Sequence, residues 1–280
     1  MKNPAVLFKP ETAVSKDGTT IGYQSLGEGP GVLVIHGALS TSEHFSRFGA
    51  ELAGAYRVHL IDRRGRGRSG PQGEAYGMAK EIEDTAAVQQ ATGAEYVFGH
   101  SYGGLVALET ARTLGLFRKI AVYEPGVSLT SEPGAWDWLA SYEKALRNQD
   151  DRGAFASFVQ GTGHSPLSRL PLWYANLMLR LFVRGARWDE MKKLLPQNLR
   201  EHREVQRLEG AYAGYQTVDA HTLLAYGGKS PSFVADTIRT LHTTLPHAEM
   251  LELPDLEHLS PENQQEPVAV ARQVQRFLLN

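Results

Sequence analysis

Short apolar runs recur along the first half of the chain, and each is soon followed by Gly, Asp or Pro. They cover residues 31–35, 56–61, 96–98 and 120–123 and are mostly rich in β-branched residues. Runs without polar alternation are typical of strands buried on both faces of a sheet. Residues 78–91 and 102–114 between them have a helical pattern. The order strand, helix, strand, helix predicts an α/β fold with a mostly parallel central sheet flanked by helices.

The two ends of the chain extend this pattern. Extended runs at 12–15 and 20–25 flank Asp17-Gly18, a pair of residues that favours a hairpin turn, so antiparallel strands are predicted at the start. The strand and helix rhythm resumes after residue 217, with strands near 222–226 and 249–253, an intervening helix near 233–245 and a final helix over 261–279. Ser260 followed by Pro261 predicts the N-cap and first residue of that final helix.

A segment of about ninety residues interrupts the rhythm in the middle of the chain. It is helical and aromatic in pattern and contains all four tryptophans, Trp136, Trp138, Trp173 and Trp188. We therefore predict a first core part over 1–126, a helical insertion over 127–217 and a second core part over 218–280.

Composition narrows the class of protein. The 280 residues are 42% hydrophobic and 21% charged, which is ordinary for a globular protein, and the net charge of −2 gives no field that would gather nucleic acid. The absence of cysteine excludes disulfides, thiolate metal ligands and a cysteine nucleophile. The apolar run before Lys9-Pro10 is too short for a signal segment, and no stretch approaches the ~20 apolar residues of a membrane span. We expect a cytoplasmic protein without a membrane span.

Residues 96–108, Tyr-Val-Phe-Gly-His-Ser-Tyr-Gly-Gly-Leu-Val-Ala-Leu, carry the chemistry. A buried strand is followed by Gly99-x-Ser101-x-Gly103 and then by a helix, which is the pattern of a nucleophile elbow. Such a tight turn exposes the serine hydroxyl above the sheet, and glycines beside it avoid clashes with neighbouring backbone. The sequence therefore predicts Ser101 as a nucleophile.

These residues and three further motifs resemble the α/β-hydrolase superfamily. The further motifs are His36-Gly37 after the third strand, the turn from Asp62 to Ser69, and Leu253 to His258 near the end. The resemblance implies an α/β-hydrolase fold in which the insertion is a helical cap, and a reaction without cofactor or metal. It implies an oxyanion hole formed by the backbone N–H groups of Ala38 and Tyr102. It also implies that the arginine-rich turn at 62–69 is structural.

The resemblance selects His258 as the general base among ten histidines. An imidazole suits this role because its ordinary pKa of about 6.5 lies near neutrality. His258 lies in the loop between the last strand and the final helix, where the family has its base. His242 and His247 are predicted surface residues, while a pocket-lining role stays open for His164, His202 and His221.

The acid departs from the family's usual pattern. After strand 223–226 the family commonly has Gly-x-x-Asp, but this chain has Gly227-Gly228-Lys229-Ser230, so that a serine occupies the aspartate position. A serine cannot stabilise an imidazolium by charge. Glu124 ends the strand after the nucleophile helix, where some family members have their acid, and we predict it as the third member of the triad. Asp255 and Asp236 are the alternatives.

The predicted reaction is hydrolysis of an ester or lactone of a hydrophobic small molecule through an acyl-enzyme. A serine at the elbow excludes the displacement at carbon that the superfamily performs with an aspartate. Thioester hydrolysis, carbon–carbon bond hydrolysis and cofactor-free peroxidation use nearly the same site, and the altered acid leaves a low-turnover receptor as an alternative. A homodimer is also left open. An apolar substrate pocket is predicted to be lined by Leu39, Trp136, Trp138, Trp173, Tyr174 and Met178.

Overall fold

The computed structural model describes residues 8–129 and 132–280, so the interpretation of residues 1–7 lies outside it. The chain forms two compact units. One comprises the residues up to Val127 together with Tyr212–Asn280, and the other is Ser128–Ala211. The predicted insertion extends to 217, whereas the chain rejoins the first unit at Tyr212. Tyr215 is buried in that unit near Glu109.

The first unit is built on a sheet of eight strands within the described residues, in the order β1-β2-β4-β3-β5-β6-β7-β8. The strands are β1 (Lys9–Val14), β2 (Thr20–Leu26), β3 (Gly31–Ile35), β4 (Arg57–Ile61), β5 (Tyr96–His100), β6 (Lys119–Tyr123), β7 (His221–Gly227) and β8 (Ala248–Leu253). β2 pairs antiparallel with β1 and β4, and every other neighbouring pair is parallel. The predicted α/β fold with a mostly parallel sheet is confirmed.

Five α-helices of the described chain flank this sheet: α1 (Ser46–Leu52), α2 (Met78–Thr92), α3 (Tyr102–Leu114), α8 (Ser232–Thr244) and α9 (Pro267–Leu279). The main apolar cluster joins Phe48 of α1 and Val274 of α9 to Val34 and Phe98 of the central strands. Successive side chains of a strand point to opposite faces, so the residues next to Val34 and Phe98 in their strands point to the other face of the sheet. Both faces of the central strands are therefore buried, as their uninterrupted apolar runs predict.

The final helix begins at Pro267 rather than Pro261, and the prediction of Ser260 as its N-cap is wrong. The Ser260 hydroxyl accepts a hydrogen bond from the backbone N–H of Glu257 at 2.9 Å, so it stabilises the loop before the helix. Asn263 in the same segment donates to the backbone oxygen of Glu43 at 2.7 Å. These contacts hold the segment in a non-helical path until Pro267, which occupies the first turn of α9.

The second unit is helical, with α4 (Asp137–Arg147), α5 (Asp151–Thr162), α6 (Leu172–Phe182) and α7 (Gly185–Arg207). The buried Tyr142 hydroxyl links α4 to α7, because it donates to the backbone oxygen of Leu195 and accepts from the Asn198 side chain, both at 3.0 Å. The Asp150 side chain caps α5 by accepting from the Gly153 N–H at 2.9 Å. No helix in the described part of the chain is both long enough and apolar enough to cross a bilayer.

Candidate active site

Backbone strain marks one edge of the sheet. Four non-glycine residues among those described have positive φ: Leu39 (51°), Ser101 (52°), Glu124 (46°) and Gln149 (58°). The first three follow the carboxyl ends of β3, β5 and β6, which are neighbours in the sheet. Such conformations cost about 1–3 kcal/mol each and cluster at functional sites. The strained positions therefore indicate a site at this edge, and they include the predicted nucleophile and acid.

Ser101 lies in a tight turn between β5 and α3, with φ 52° and ψ −121°. The glycines on either side are required by close contacts. A Cβ at Gly99 would lie 2.5 Å from the backbone oxygen of Gly103, and a Cβ at Gly103 would lie 2.2 Å from that of Ile35. Two backbone hydrogen bonds hold Ser101 in this strained conformation. Its N–H donates to the backbone oxygen of Tyr123 at 3.0 Å, and its own backbone oxygen accepts from the N–H of Gly126 at 2.8 Å.

The carboxylate of Glu124 lies against the predicted base. Its Oε2 is 2.8 Å from Nδ1 of His258, and its Oε1 accepts from the Gly227 N–H at 2.8 Å and the Ser230 hydroxyl at 2.6 Å. The glutamate is buried, so these hydrogen bonds compensate its desolvation. The serine in the family's aspartate position thus supports a carboxylate that reaches the imidazole from the neighbouring strand.

The two alternative acids lie in different surroundings. Asp236 is exposed on α8 and pairs with Arg239 at 2.6 Å. Asp255 is exposed in the loop after β8. The geometry of the His258 side chain therefore favours Glu124 over both.

The loop that carries His258 is held from beneath by two strand-end residues. His100 donates from Nε2 to the His258 backbone oxygen at 2.8 Å, and its ring centroid lies 5.0 Å from that of His258. Tyr123 donates from its hydroxyl to the Glu257 backbone oxygen at 2.9 Å. Each donor directly precedes a predicted catalytic residue, and neither is predicted from the sequence. The signal available in the sequence is a polar residue at the end of a buried apolar strand, because a buried polar group needs a hydrogen-bond partner.

The contacts of His258 define its protonation. Burial lowers the pKa of His258 from 6.5 to about 4, so the imidazole is neutral near pH 7. An ionised carboxylate only accepts hydrogen bonds, so Nδ1 carries the proton toward Glu124 and Nε2 carries the lone pair. A neutral imidazole with this tautomer can accept a proton at Nε2, and the Glu124 charge stabilises the resulting imidazolium.

The predicted oxyanion donors lie in two neighbouring turns. Tyr102 is the first residue of α3, so its N–H lies at the N-terminus of a helix, where backbone N–H groups point out of the helix and the helix dipole favours negative charge. The N–H of Ala38 shares a peptide with the Gly37 carbonyl, which accepts from His36 Nδ1 at 2.8 Å and from Arg63 Nη1 at 3.2 Å. The C=O and N–H of a trans peptide point in opposite directions, so fixing the carbonyl also fixes the direction of the Ala38 N–H.

Arg63 contacts both of these turns. Besides the Gly37 carbonyl, its guanidinium lies over the Tyr102 ring at 4.5 Å from the centroid. It is 1% exposed and forms a two-pronged ion pair with Glu81 at 2.9 and 3.1 Å. Burial raises the pKa of Glu81, but the Arg63 charge outweighs it and the pKa lies below its ordinary value. The carboxylate therefore stays ionised and keeps the guanidinium in place.

His36 is a bracing residue in this arrangement. It is buried, and burial followed by the Arg63 charge holds its pKa well below 6.5. Its Nδ1 donates to the Gly37 oxygen, so its unprotonated Nε2 accepts from the Arg63 N–H at 3.3 Å. The rest of the arginine-rich turn is stabilised by Asp62, whose carboxylate accepts from the backbone N–H groups of Ser42 and Arg68.

The residues predicted to line a substrate pocket have varied exposure. Leu39 is half-buried beside Ala38. In the second unit, Trp136 and Trp138 stack with centroids 6.2 Å apart, and Trp138 and His202 form a T-shaped pair with centroids 5.5 Å apart. On α6, Trp173 is 70% exposed and Tyr174 is 37% exposed, whereas Met178 is half-buried. Their role in binding substrate stays a prediction.

Comparison with known proteins identifies the family. Residues 32–273 match the model of the "Alpha/beta hydrolase family", which is most of the chain. The protein therefore belongs to the alpha/beta hydrolase family, and the resemblance found in the sequence is confirmed.

Individual relatives add fold information and partial sequence similarity. An alpha/beta hydrolase from Sphaerobacter thermophilus DSM 20745 superposes with a TM-score of 0.78 at 27% identity, covering 96% of this chain and 100% of that one. The esterase RhEst1 from Rhodococcus sp. ECU1013 gives a TM-score of 0.70 at 20% identity, covering 97% and 99%. A non-heme haloperoxidase of Rhodococcus erythropolis is 38% identical over 93 residues, 32% of this chain and 34% of that protein. The chain spans about a third of the length of the curated relatives it matches.

Proposed function

We propose that this protein is a serine hydrolase that cleaves an ester or lactone of a hydrophobic small molecule through an acyl-enzyme. Ser101 is the nucleophile, His258 the base and Glu124 the acid. The hydrogen bond of 2.8 Å between Glu124 and His258 Nδ1 carries the proposal, because it leaves Nε2 as the basic nitrogen.

In the first half of the reaction, His258 Nε2 takes the proton of the Ser101 hydroxyl as its oxygen attacks the substrate carbonyl carbon. The negative charge that forms on the carbonyl oxygen is stabilised by the N–H groups of Ala38 and Tyr102. Collapse of this intermediate breaks the bond to the leaving oxygen, which receives the proton from the imidazolium. The acyl group remains on Ser101, and Glu124 stabilises the imidazolium during the step.

In the second half, a water molecule attacks the acyl carbonyl and gives its proton to His258. The bond to Ser101 then breaks, the serine oxygen recovers the proton, and the carboxylic acid leaves. The buried ion pair of Arg63 and Glu81 supports the Gly37–Ala38 peptide, so the Ala38 donor keeps its direction throughout.

A fluorophosphonate probe and a series of p-nitrophenyl esters from acetyl to octanoyl test the proposal. We expect covalent labelling, a burst of p-nitrophenol and loss of both in Ser101→Ala. Tight binding of the esters without hydrolysis or labelling would instead identify a receptor. Equal labelling of wild type and Ser101→Ala would show that the nucleophile is wrong.

The match to a haloperoxidase supports a second candidate, which is transfer of the acyl group to hydrogen peroxide rather than to water. The peroxide oxygen would attack the acyl-enzyme carbonyl and release a peracid, with His258 accepting its proton. Measuring the ratio of peracid to acid formed from one ester at increasing peroxide concentration separates the two reactions. A ratio that stays near zero would reject the second candidate.

A further inference from the structure

Helix α6 exposes an apolar face to solvent. Six of its large apolar side chains are exposed by 37 to 73%: Leu172, Trp173, Tyr174, Leu177, Leu181 and Phe182. At 100° per residue, Trp173, Leu177 and Leu181 form one stripe, while the buried Ala175 and Leu179 lie on the opposite side. The helix thus packs on the second unit through small and aliphatic residues and directs its bulkiest ones outward. Contiguous exposed apolar surface of this kind marks an interaction site.

The chain segment that carries this stripe is basic. Residues 152–188 contain no Asp or Glu and five arginines, in a chain whose net charge is −2: Arg152, Arg169, Arg180, Arg184 and Arg187. Arg152 is structural, since it stacks on Trp188 at 3.6 Å and donates to the Val183 backbone oxygen at the end of α6. The other four are exposed. Arg180 lies on α6 itself, and Arg169 and Arg184 lie within three residues of its ends, so cations lie on and beside the helix that carries the stripe.

The geometry points to docking of the α6 face on the surface of an anionic phospholipid membrane. Apolar side chains that include Trp and Tyr enter the boundary between headgroups and acyl chains, where an apolar ring with a polar atom is stable. Arginines beside them pair with lipid phosphates. Helix α6 supplies the apolar side chains and Arg180, and the other three arginines lie in the segments before and after it. A helix of 11 residues lies on a bilayer rather than crossing it.

Two other occupants fit less well. A second copy of the chain joined by a twofold axis would place the same patch against itself, so a basic segment without Asp or Glu would meet another basic segment across an apolar interface. A nucleic acid would pair with the arginines but would leave Leu177, Leu181 and Phe182 in contact with charged phosphates and water. A lipid surface offers acyl chains to the apolar stripe and phosphates to the arginines beside it.

The test uses the whole protein and two kinds of vesicle, phosphatidylcholine alone and phosphatidylcholine with phosphatidylglycerol. We expect sedimentation with the phosphatidylglycerol vesicles only, weakened by added salt, and a blue shift of tryptophan emission. Leu177→Ser with Leu181→Ser, and Arg180→Gln with Arg184→Gln, should each weaken vesicle binding by about tenfold or more. Trp173→Phe should remove most of the blue shift, because the other three tryptophans are half-buried.

The matched control lies on α9, which ends with exposed Leu279 and Arg276. Leu279→Ser with Arg276→Gln changes the same residue types and should leave vesicle binding unchanged. Absence of binding to phosphatidylglycerol vesicles, or equal loss in the α9 control, would overturn the proposal. So would a dimer in light scattering that the α6 variants dissociate, or binding to DNA without binding to lipid. None of these readouts depends on the reaction proposed for Ser101.

Discussion

The carboxylate of Glu124 accepts hydrogen bonds from three donors at the edge of the sheet, Gly227, Ser230 and His258. Two of them fix Oε1, so Oε2 is directed to the imidazole. Gln at position 124 keeps the size but loses the charge that stabilises an imidazolium. We expect Glu124→Gln to lower kcat by ~10²–10⁴. Asp255→Asn should lower it far less, because Asp255 is exposed. Ester kinetics on the two variants check this, and the reverse order of losses would exclude Glu124 as the acid.

Ser230 offers a way to move the acid between strands. It stands in the position where the family commonly has aspartate, and its hydroxyl lies 2.6 Å from Glu124 Oε1. We expect the kcat of the variant that combines Ser230→Asp with Glu124→Gln to be at least about tenfold higher than the kcat of Glu124→Gln alone. Ser230→Asp in the wild-type background should lower kcat, because two carboxylates would then share one site. If the double variant is no faster than Glu124→Gln, the two strand ends are not interchangeable.

The protonation of His258 predicts a pH profile. Burial lowers its pKa to about 4, so the neutral base is present above that pH and activity should fall as acid protonates it. We expect kcat/KM to show an acidic limb centred below pH 6.5. In Glu124→Gln the limb should move to lower pH, because the carboxylate that favours the imidazolium is gone. Profiles from pH 3.5 to 8 measure this, and a limb that moves upward would contradict the proposed pairing.

These residues differ in how clearly the sequence marks them. Ser101 and His258 are marked by local motifs and chain order, whereas Glu124 was proposed from the absence of an aspartate after β7. The roles of His100 and Tyr123 depend on backbone oxygens of a loop 134 to 158 residues away in the chain, and the sequence contains no sign of that proximity. Ser260 was misread because Pro261 and Pro267 both satisfy the preference for proline in the first turn of a helix.

At the level of elements, apolar runs located the strands and helices of the sheet closely. The helix predicted over 102–114 matches α3 (Tyr102–Leu114), and that over 78–91 matches α2 (Met78–Thr92) to within a residue. Both are long and bounded by glycine turns, so local preference and tertiary packing agree. The short turn from Asp62 to Ser69 was assigned a structural role, which its backbone hydrogen bonds fit, but Arg63 also contacts both predicted oxyanion turns.

Two buried ion pairs of the turn at 62–69 make it possible to distinguish a role in stability from a role in positioning the oxyanion donors. Arg63 pairs with Glu81, and Arg64 pairs with Asp84 at 2.6 Å with similar burial. Arg63→Met with Glu81→Gln removes one of the two donors to the Gly37 carbonyl and leaves His36 Nδ1 as the other. Since one oxyanion donor contributes ~10²–10³ in kcat, misdirecting the Ala38 N–H should lower kcat by about tenfold to a hundredfold with KM little changed.

The matched variant is Arg64→Met with Asp84→Asn, because the side-chain contacts of Arg64 go to Asp84 and Asp17 and away from both oxyanion turns. We expect both double variants to lower the melting temperature, and only the first to lower kcat at a temperature where both are folded. Equal kcat in the two would assign Arg63 a purely structural role.

At the level of the whole molecule, the central sheet belongs to one of the two units. All eight described strands and the main apolar cluster lie in the residues up to Val127 and in Tyr212–Asn280. The contact between Glu124 and His258 also lies within this unit. The second unit leaves and returns at nearly the same point, because the Gly210 N–H donates to the Ser128 backbone oxygen at 3.1 Å. A short linker can therefore replace it without stretching the chain.

We expect a chain in which a short Gly/Ser linker replaces Ser128–Ala211 to fold, since domains with their own apolar core tolerate removal of an insertion whose ends are close. It should unfold in one cooperative transition and still label at Ser101 with the fluorophosphonate. If the second unit is the predicted cap, the truncated chain should discriminate less between acetyl and octanoyl esters, because the residues proposed to line the substrate pocket are gone except for Leu39. Ser101→Ala in the truncated chain is the control for labelling. A truncated chain that folds but no longer labels would show that the second unit is needed for the reactivity of the serine itself.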